Sequence, residues 1–176
     1  MIINKYNNYF YSFLSVLVVI LIFKAEASLS ISYKEALNLF VNNSILSIIT
    51  NISIYIFGQN DIALRLPFIL FYIFSVVLMY KITENYFKYE KDRLIAISIF
   101  MVLPGVLSAS LLVNSAILVT FCTLFYLYYF KIYQKHSYYL LLFFLLIDNS
   151  FAILYLALFF FSLQKRDKKL LYFSLV

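Results

Sequence analysis

Glycine, cysteine, histidine and tryptophan are scarce in this chain, which has two Gly, one Cys, one His and no Trp among 176 residues. Two glycines cannot build the glycine-rich loops that bind phosphates, and their spacing gives no Gly-x-x-x-Gly helix contact. Cys122 lies in an apolar segment, so the chain has no internal disulfide framework or thiol metal site. His136 lies in a short basic loop without neighbouring ligands, which is typical of a solvated histidine. The sequence therefore predicts no metal site and no cofactor.

Charge is scarce as well. Only 12% of the residues are charged and 65% are hydrophobic, whereas soluble domains carry about 25% charged residues. A domain of this size cannot hide so much apolar surface in one core, so the sequence predicts an all-α, polytopic bundle of transmembrane helices. A net charge of +6 would suggest nucleic-acid binding in a soluble protein. Here basic loops on the cytoplasmic side of a membrane explain it, and we expect no nucleic-acid partner.

Six apolar segments are predicted to cross the membrane within a single transmembrane domain, residues 1–176. They cover residues 9–23, 66–80, 94–113, 115–130, 138–147 and 151–163. With the turn at residues 148–150 facing outward, 11 of the 14 basic residues are cytoplasmic, and only Lys24, Lys34 and Arg65 lie outside. The positive-inside rule favours this layout, with a cytoplasmic N-terminus and a location in the plasma (inner) membrane. The last two segments are short, which requires tilt or local thinning of the bilayer.

Pro104 and Gly105 interrupt the third apolar segment. Proline removes a helical amide and clashes with the preceding turn. Backbone groups released inside a membrane need cover from protein or water. We therefore predict a kink or break at this point with such cover.

The outer loop, residues 24–65, contains two shorter apolar pieces. An amphipathic piece around Glu35 ends before Asn42, and a second piece runs from Ile45 to Phe57, is interrupted at Thr50–Asn51, and ends at Gly58. Both are shorter than the ~20 residues that cross a bilayer, so we predict juxtamembrane helices lying on the outer face. The Ala-x-Ala pattern ending at Ala27 also permits cleavage of the first segment as a signal peptide.

The final apolar run, residues 170–176, is seven residues long. At about 1.5 Å per residue such a run does not cross the membrane. We therefore expect this sequence to be the front portion of a longer protein, or a chain that a partner membrane subunit completes.

Three predicted outer-face motifs carry a resemblance to a known family: residues 33–36 (Tyr-Lys-Glu-Ala), residues 57–67 (Phe-Gly through Arg-Leu-Pro) and residues 108–114, which end in Asn. In order and spacing they resemble the N-terminal half of polyprenol-dependent membrane glycosyltransferases with the GT-C fold. Within that group the motifs resemble those of protein mannosyltransferases and lipid A aminoarabinose transferases. The resemblance covers residues 31–163. It implies sugar transfer from a polyprenyl-phosphate donor at the outer membrane face.

The resemblance also implies site residues, with departures from the family pattern. Lys34 stands where the family has an aspartate that acts as general base, and Glu35, one residue on, is the remaining catalytic candidate. One residue corresponds to a rotation of about 100° on a helix, which disfavours a simple replacement. Asn114 stands where a second acidic residue is expected. Lys34, Arg65 and Asn114 are the substrate-binding candidates. Arg65 suits a lipid phosphate, although snorkelling or pairing with Asp61 explains it equally well.

Three functions follow from these observations. The first is a glycosyltransferase-like protein, as a fragment or a degenerate copy. The second is a non-catalytic membrane subunit that binds a lipid or a partner protein. The third, which we rank last, is a small transporter that uses Asp148 and the Pro104–Gly105 break. The expected partners are membrane lipid, including a polyprenyl-phosphate sugar, and a further membrane subunit.

Overall fold

All regular structure in the described part of the chain is helical. The computed structural model describes residues 3–27, 45–133, 137–145, 147–165 and 168–174. Its helices are α1 (Ile3–Ala27), α2 (Ile45–Phe57), α3 (Asp61–Tyr86), α4 (Glu90–Val102), α5 (Pro104–Leu111), α6 (Ala116–Ile132), α7 (Ser137–Leu145), a 3-10 turn (Asn149–Phe151), α8 (Ala152–Lys165) and α9 (Lys168–Ser174). The predicted all-α class is confirmed.

Two helices are long and apolar enough to cross a membrane by themselves. They are α1, over Asn8–Glu26, and α3, over Asp61–Tyr86. The pair α4 and α5, bent by 50°, supplies a third when the two are counted as one broken span. Helices α6 and α8 are shorter apolar helices that coincide with the predicted spans 115–130 and 151–163. The total of six spans stays a prediction.

The chain divides into two compact units inside α6. Unit 1 is Met1–Phe121 and unit 2 is Cys122–Val176. In unit 1, α3 is the central helix and packs against α1, α2, α4 and α5. The core there combines residues from four of these helices: Phe10, Leu14 and Leu21 of α1, Phe68, Ile69, Tyr72 and Val76 of α3, Ile97 and Met101 of α4, and Ala109 of α5.

The break between α4 and α5 is covered by a side chain of α3. The two helices meet at Leu103 with a 50° bend, because Pro104 has no amide hydrogen to continue the ladder. Met101 lies in the last turn of α4, where carbonyls lack a helical partner. The Tyr72 hydroxyl donates to the Met101 carbonyl at 2.9 Å, and both residues are fully buried. The predicted break and its cover by protein are confirmed.

Helix α2 ends where the sequence predicts, but it is not interrupted. Gly58 has φ +86°, and its amide donates to the Ile54 carbonyl at 2.8 Å, which is a glycine helix stop. The predicted interruption at Thr50–Asn51 is wrong, since α2 is continuous from Ile45 to Phe57. The Thr50 hydroxyl donates to the Leu46 carbonyl at 2.9 Å, so its polar group is satisfied inside the helix.

Unit 2 packs the second part of α6 and helices α7, α8 and α9 around aromatic residues. Phe144 and Phe151 stack with ring centroids 4.8 Å apart, and the Tyr155 hydroxyl donates to the Leu141 carbonyl. The turn between α7 and α8 is closed by Asp148, whose carboxylate accepts from the Ser150 amide at 2.7 Å. Asp148 therefore shapes a turn, as expected for an acidic residue between two short apolar segments.

Candidate functional site

The candidate site lies at the end of unit 1 where α1 finishes and α3 begins. We call this region the α1–α3 junction and define it as residues 24–27 and 58–65. Its polar groups Lys24, Glu26, Gln59, Asn60 and Asp61 are exposed. The sequence places them there because α1 loses its apolar character at Lys24, and Gly58 stops α2 just before α3 starts. The result is a polar rim at this end of unit 1.

Arg65 joins the two sides of this junction from a buried position. Only 2% of the residue is exposed, and its Nη1 donates to the Ala25 carbonyl at 2.6 Å. Ala25 is in the last turn of α1, where carbonyls lack helical partners and the helix dipole is negative. A permanently charged guanidinium suits that end. A snorkelling side chain would keep its charge in water, so the burial excludes snorkelling for Arg65.

Ser53 fixes α2 to the same stretch of α3. Its hydroxyl donates to the Ala63 carbonyl at 2.5 Å. In a regular helix that carbonyl would accept from the amide four residues later, but that residue is Pro67, which has no N–H. Ser53 therefore replaces the missing helical bond. The sequence signal for this contact is Pro67 itself, because it leaves one known carbonyl in need of a donor.

Asn114 lies in the turn between α5 and α6. Its side-chain Oδ1 accepts from the Ala116 amide at 3.1 Å, and its own amide donates to the Leu112 carbonyl at 2.9 Å. This is an Asx-type turn that starts α6. The side chain is half-buried, and its oxygen already has a structural partner.

Arg65 and Asn114 each precede an aromatic residue through which α3 and α6 meet. Helix α4 runs back alongside α3, since Arg93 contacts Glu84 and the Met101 carbonyl accepts from Tyr72. Phe71 and Phe121 contact each other with centroids 5.4 Å apart, which sets the register between α3 and α6. Arg65 precedes Phe71 by six residues, about 9 Å along the axis of α3. Asn114 precedes Phe121 by seven residues and lies in the turn before α6.

The other two predicted site residues, Lys34 and Glu35, lie outside the described residues. Sequence reasoning did not single out Glu26, an exposed carboxylate next to Ala25 on the rim of the α1–α3 junction. The sequence indicates a functional role for Glu26 only weakly, because a single acidic residue commonly marks the end of an apolar segment. Within the described ranges, no three His, Cys, Asp or Glu residues come together as metal ligands.

Comparison with known families identifies the lineage. The family model described as dolichyl-phosphate-mannose-protein mannosyltransferase matches residues 45–171, which is 127 of the 176 residues. No curated protein and no solved structure matches the chain. The matched region includes Arg65 and Asn114 and begins after Lys34 and Glu35. The chain belongs to the dolichyl-phosphate-mannose-protein mannosyltransferase family, and the predicted membrane glycosyltransferase lineage of GT-C type is confirmed.

Proposed function

We propose that this family member transfers a sugar from a polyprenyl-phosphate donor at the outer face of the plasma membrane. Its family and its apolar helices make it an integral membrane protein of glycosyltransferase type. The observation that carries the proposal is the buried guanidinium of Arg65 at the α1–α3 junction. A fixed cation beside a polar rim, at the end of two apolar helices, suits a ligand with an anionic head and a hydrocarbon tail.

The proposed reaction is an inverting substitution at the anomeric carbon of the donor. An acceptor oxygen forms the new bond to that carbon while the bond to the phosphate oxygen breaks. The electron pair leaves with the polyprenyl phosphate, and the acceptor proton passes to a carboxylate. Arg65 and Lys34 balance the negative charge that develops on the leaving phosphate. Glu35 is the proposed proton acceptor, because a protonated lysine at position 34 cannot take a proton. The Asn114 amide is proposed to bind substrate by hydrogen bonds alone.

Arg65→Gln and Arg65→Lys test the proposal in proteoliposomes that contain a polyprenyl-phosphate sugar. We expect Arg65→Gln to lower sugar release by about 10²-fold, as for the loss of one group that stabilises developing charge. Arg65→Lys should retain part of the activity, because it keeps the positive charge and loses the fork geometry. Lys81→Gln, at the far end of α3, is the matched loss of charge and should release sugar at the wild-type rate.

Each step of this proposal has an outcome that would contradict it. Equal sugar release by wild type and Arg65→Gln would remove Arg65 from donor binding. Equal release by wild type and Glu35→Gln would remove Glu35 from proton transfer. A chain that folds in liposomes and releases no sugar with any polyprenyl-phosphate donor would overturn the activity itself.

A second candidate function is a non-catalytic membrane subunit that binds lipid or a partner protein. It is supported by Lys34 at the family's aspartate position, and by Asn114, whose side-chain oxygen accepts from the Ala116 amide. Such a subunit should purify from its native membrane with one partner in fixed stoichiometry. A monodisperse single chain that transfers sugar would exclude it.

A further inference from the structure

Helix α2 buries hydroxyl side chains and exposes apolar ones, which is the reverse of a helix that lies on a water-facing surface. Its buried positions are Ser47, Thr50 and Ser53, spaced three residues apart on one stripe. Five apolar or aromatic positions are each more than half exposed: Ile48, Ile52, Tyr55, Ile56 and Phe57. A surface amphipathic helix instead points its polar, charged face to water.

The buried stripe is small and hydrogen-bonded. The Thr50 hydroxyl donates to carbonyls of its own helix, at Leu46 and Ser47, and the Ser53 hydroxyl donates to Ala63 of α3. Small hydroxyl residues let two helix backbones approach closely, and this type of contact is typical of helix pairs inside a bilayer. Helix α2 thus packs against α3 as a membrane helix does.

The exposed face has the chemistry of a lipid contact. Residues 45–57 contain no charged side chain. At 100° per residue, Ile48, Ile52, Tyr55 and Ile56 form one continuous apolar arc opposite the hydroxyl stripe, while Asn51 lies on the flank next to Ser47. Helix α3, against which α2 packs, also has exposed apolar residues, Leu70, Phe74 and Val77, along its membrane-spanning length. The apolar arc of α2 therefore has the same chemistry as the exposed face of a helix that is long and apolar enough to span a membrane.

We propose that the arc Ile48–Ile52–Tyr55–Ile56 is a binding surface for lipid acyl chains, so that α2 lies within the hydrocarbon edge and not on its water side. Ser53 of the hydroxyl stripe holds α2 to α3, and Asn51 lies on the flank of the arc. An apolar arc of this kind is stabilised by acyl chains at no hydrogen-bonding cost, because the polar side chains of the stripe are already satisfied.

Depth-dependent fluorescence quenching tests this placement in the 176-residue chain reconstituted in phosphatidylcholine liposomes. Cys122→Ala supplies a background without cysteine, and Ile52→Cys or Ile56→Cys is labelled with bimane. Phe74→Cys on the exposed side of α3 is the matched lipid-facing control, and Lys88→Cys, in the turn after α3, is the water-facing control. Emission is compared in liposomes with and without bromine atoms on the acyl chains, and with aqueous iodide.

We expect brominated acyl chains to quench positions 52 and 56 as strongly as position 74, with iodide quenching only position 88. Quenching of positions 52 and 56 by iodide but not by bromine would overturn the proposal, since the arc would then face water. Protection from both quenchers would also overturn it, because another protein surface would then cover the arc. The substitutions are at exposed positions, so each labelled chain should keep the elution volume of the parent.

Discussion

The Ser53 hydroxyl donates to the carbonyl of Ala63, the one that Pro67 deprives of its helical amide. The bond joins α2 to α3 and replaces the helical hydrogen bond that Pro67 removes from α3. A buried carbonyl without a donor costs about 1–3 kcal/mol, and water is scarce at this position because Ala63 is 1% exposed. The contact therefore explains how a proline near the start of the central helix of unit 1 is tolerated.

Ser53→Ala should lower the unfolding free energy by about 1–3 kcal/mol, because it leaves the Ala63 carbonyl without a partner. The double variant Ser53→Ala with Pro67→Ala restores an amide at position 67 and should recover most of that loss. Thermal unfolding in detergent measures both. Additive effects of the two substitutions, with no coupling, would contradict the explanation.

Tyr72→Phe removes the donor from the Met101 carbonyl at the α4–α5 break and should also cost about 1–3 kcal/mol. Tyr55→Phe is the matched control, since Tyr55 is 91% exposed, and its effect should stay within about 0.5 kcal/mol. Comparing the unfolding midpoints of the two variants tests the role of Tyr72. Equal midpoints would mean that the break is covered in another way.

The two glycines should respond differently to alanine. Gly58 has φ +86°, and a β-carbon added there would meet open space, so Gly58→Ala costs only conformational strain, about 1–2 kcal/mol. Gly105 lies in α5 with open space and an ordinary backbone, so Gly105→Ala should be neutral or stabilise by about 0.5–1 kcal/mol. Unfolding midpoints give the signs, and a loss at position 105 equal to that at 58 would refute the distinction.

Arg65→Gln should loosen the contact between the end of α1 and the start of α3, because the guanidinium no longer caps the Ala25 carbonyl. Spin labels at exposed positions 26 and 59 report this distance by electron–electron double resonance. We expect a broader distance distribution for Arg65→Gln than for Arg65→Lys, which keeps a cation at the negative end of α1. Identical distributions for both variants and wild type would show that the bond to Ala25 does not fix the junction.

The predicted orientation can be tested by labelling single cysteines from outside intact cells. Asn60→Cys, in the turn before α3, should react with a membrane-impermeant maleimide. Lys165→Cys, at the end of α8, should react only after the membrane is opened. The reverse pattern would invert the assignment of the α1–α3 junction to the outer face.

The structural features that depend on composition or on a single residue could be predicted from the sequence. The apolar composition predicts an all-α membrane protein, Gly58 predicts the end of α2, and Pro104 predicts a break that needs cover. Sequence reasoning did not identify Tyr72 as that cover or Ala25 as the partner of Arg65, because neither partner is close in sequence. Arg65 binds the backbone carbonyl of Ala25, and every residue has such a carbonyl, so the residue type at position 25 does not indicate the contact.

The orientation of α2 shows a second limit. Periodicity separates the hydroxyl stripe of Ser47, Thr50 and Ser53 from the isoleucine arc, but it does not say which side meets protein. In water the apolar side would be buried, whereas next to lipid the packing of small residues decides. Helix α3, which provides that packing, must be known before the direction can be assigned.

The bond from Ser53 to Ala63 has a consequence for biogenesis. If α3 entered the bilayer by itself, the Ala63 carbonyl would have no hydrogen-bond donor in the hydrocarbon core. Inserting α3 alone would therefore cost more free energy than inserting it together with α2. Emerging together with α2 as a closed hairpin, α3 has its donor from the outset. The order of synthesis favours such a hairpin, because α2 is synthesised immediately before α3 and only three residues separate the two helices.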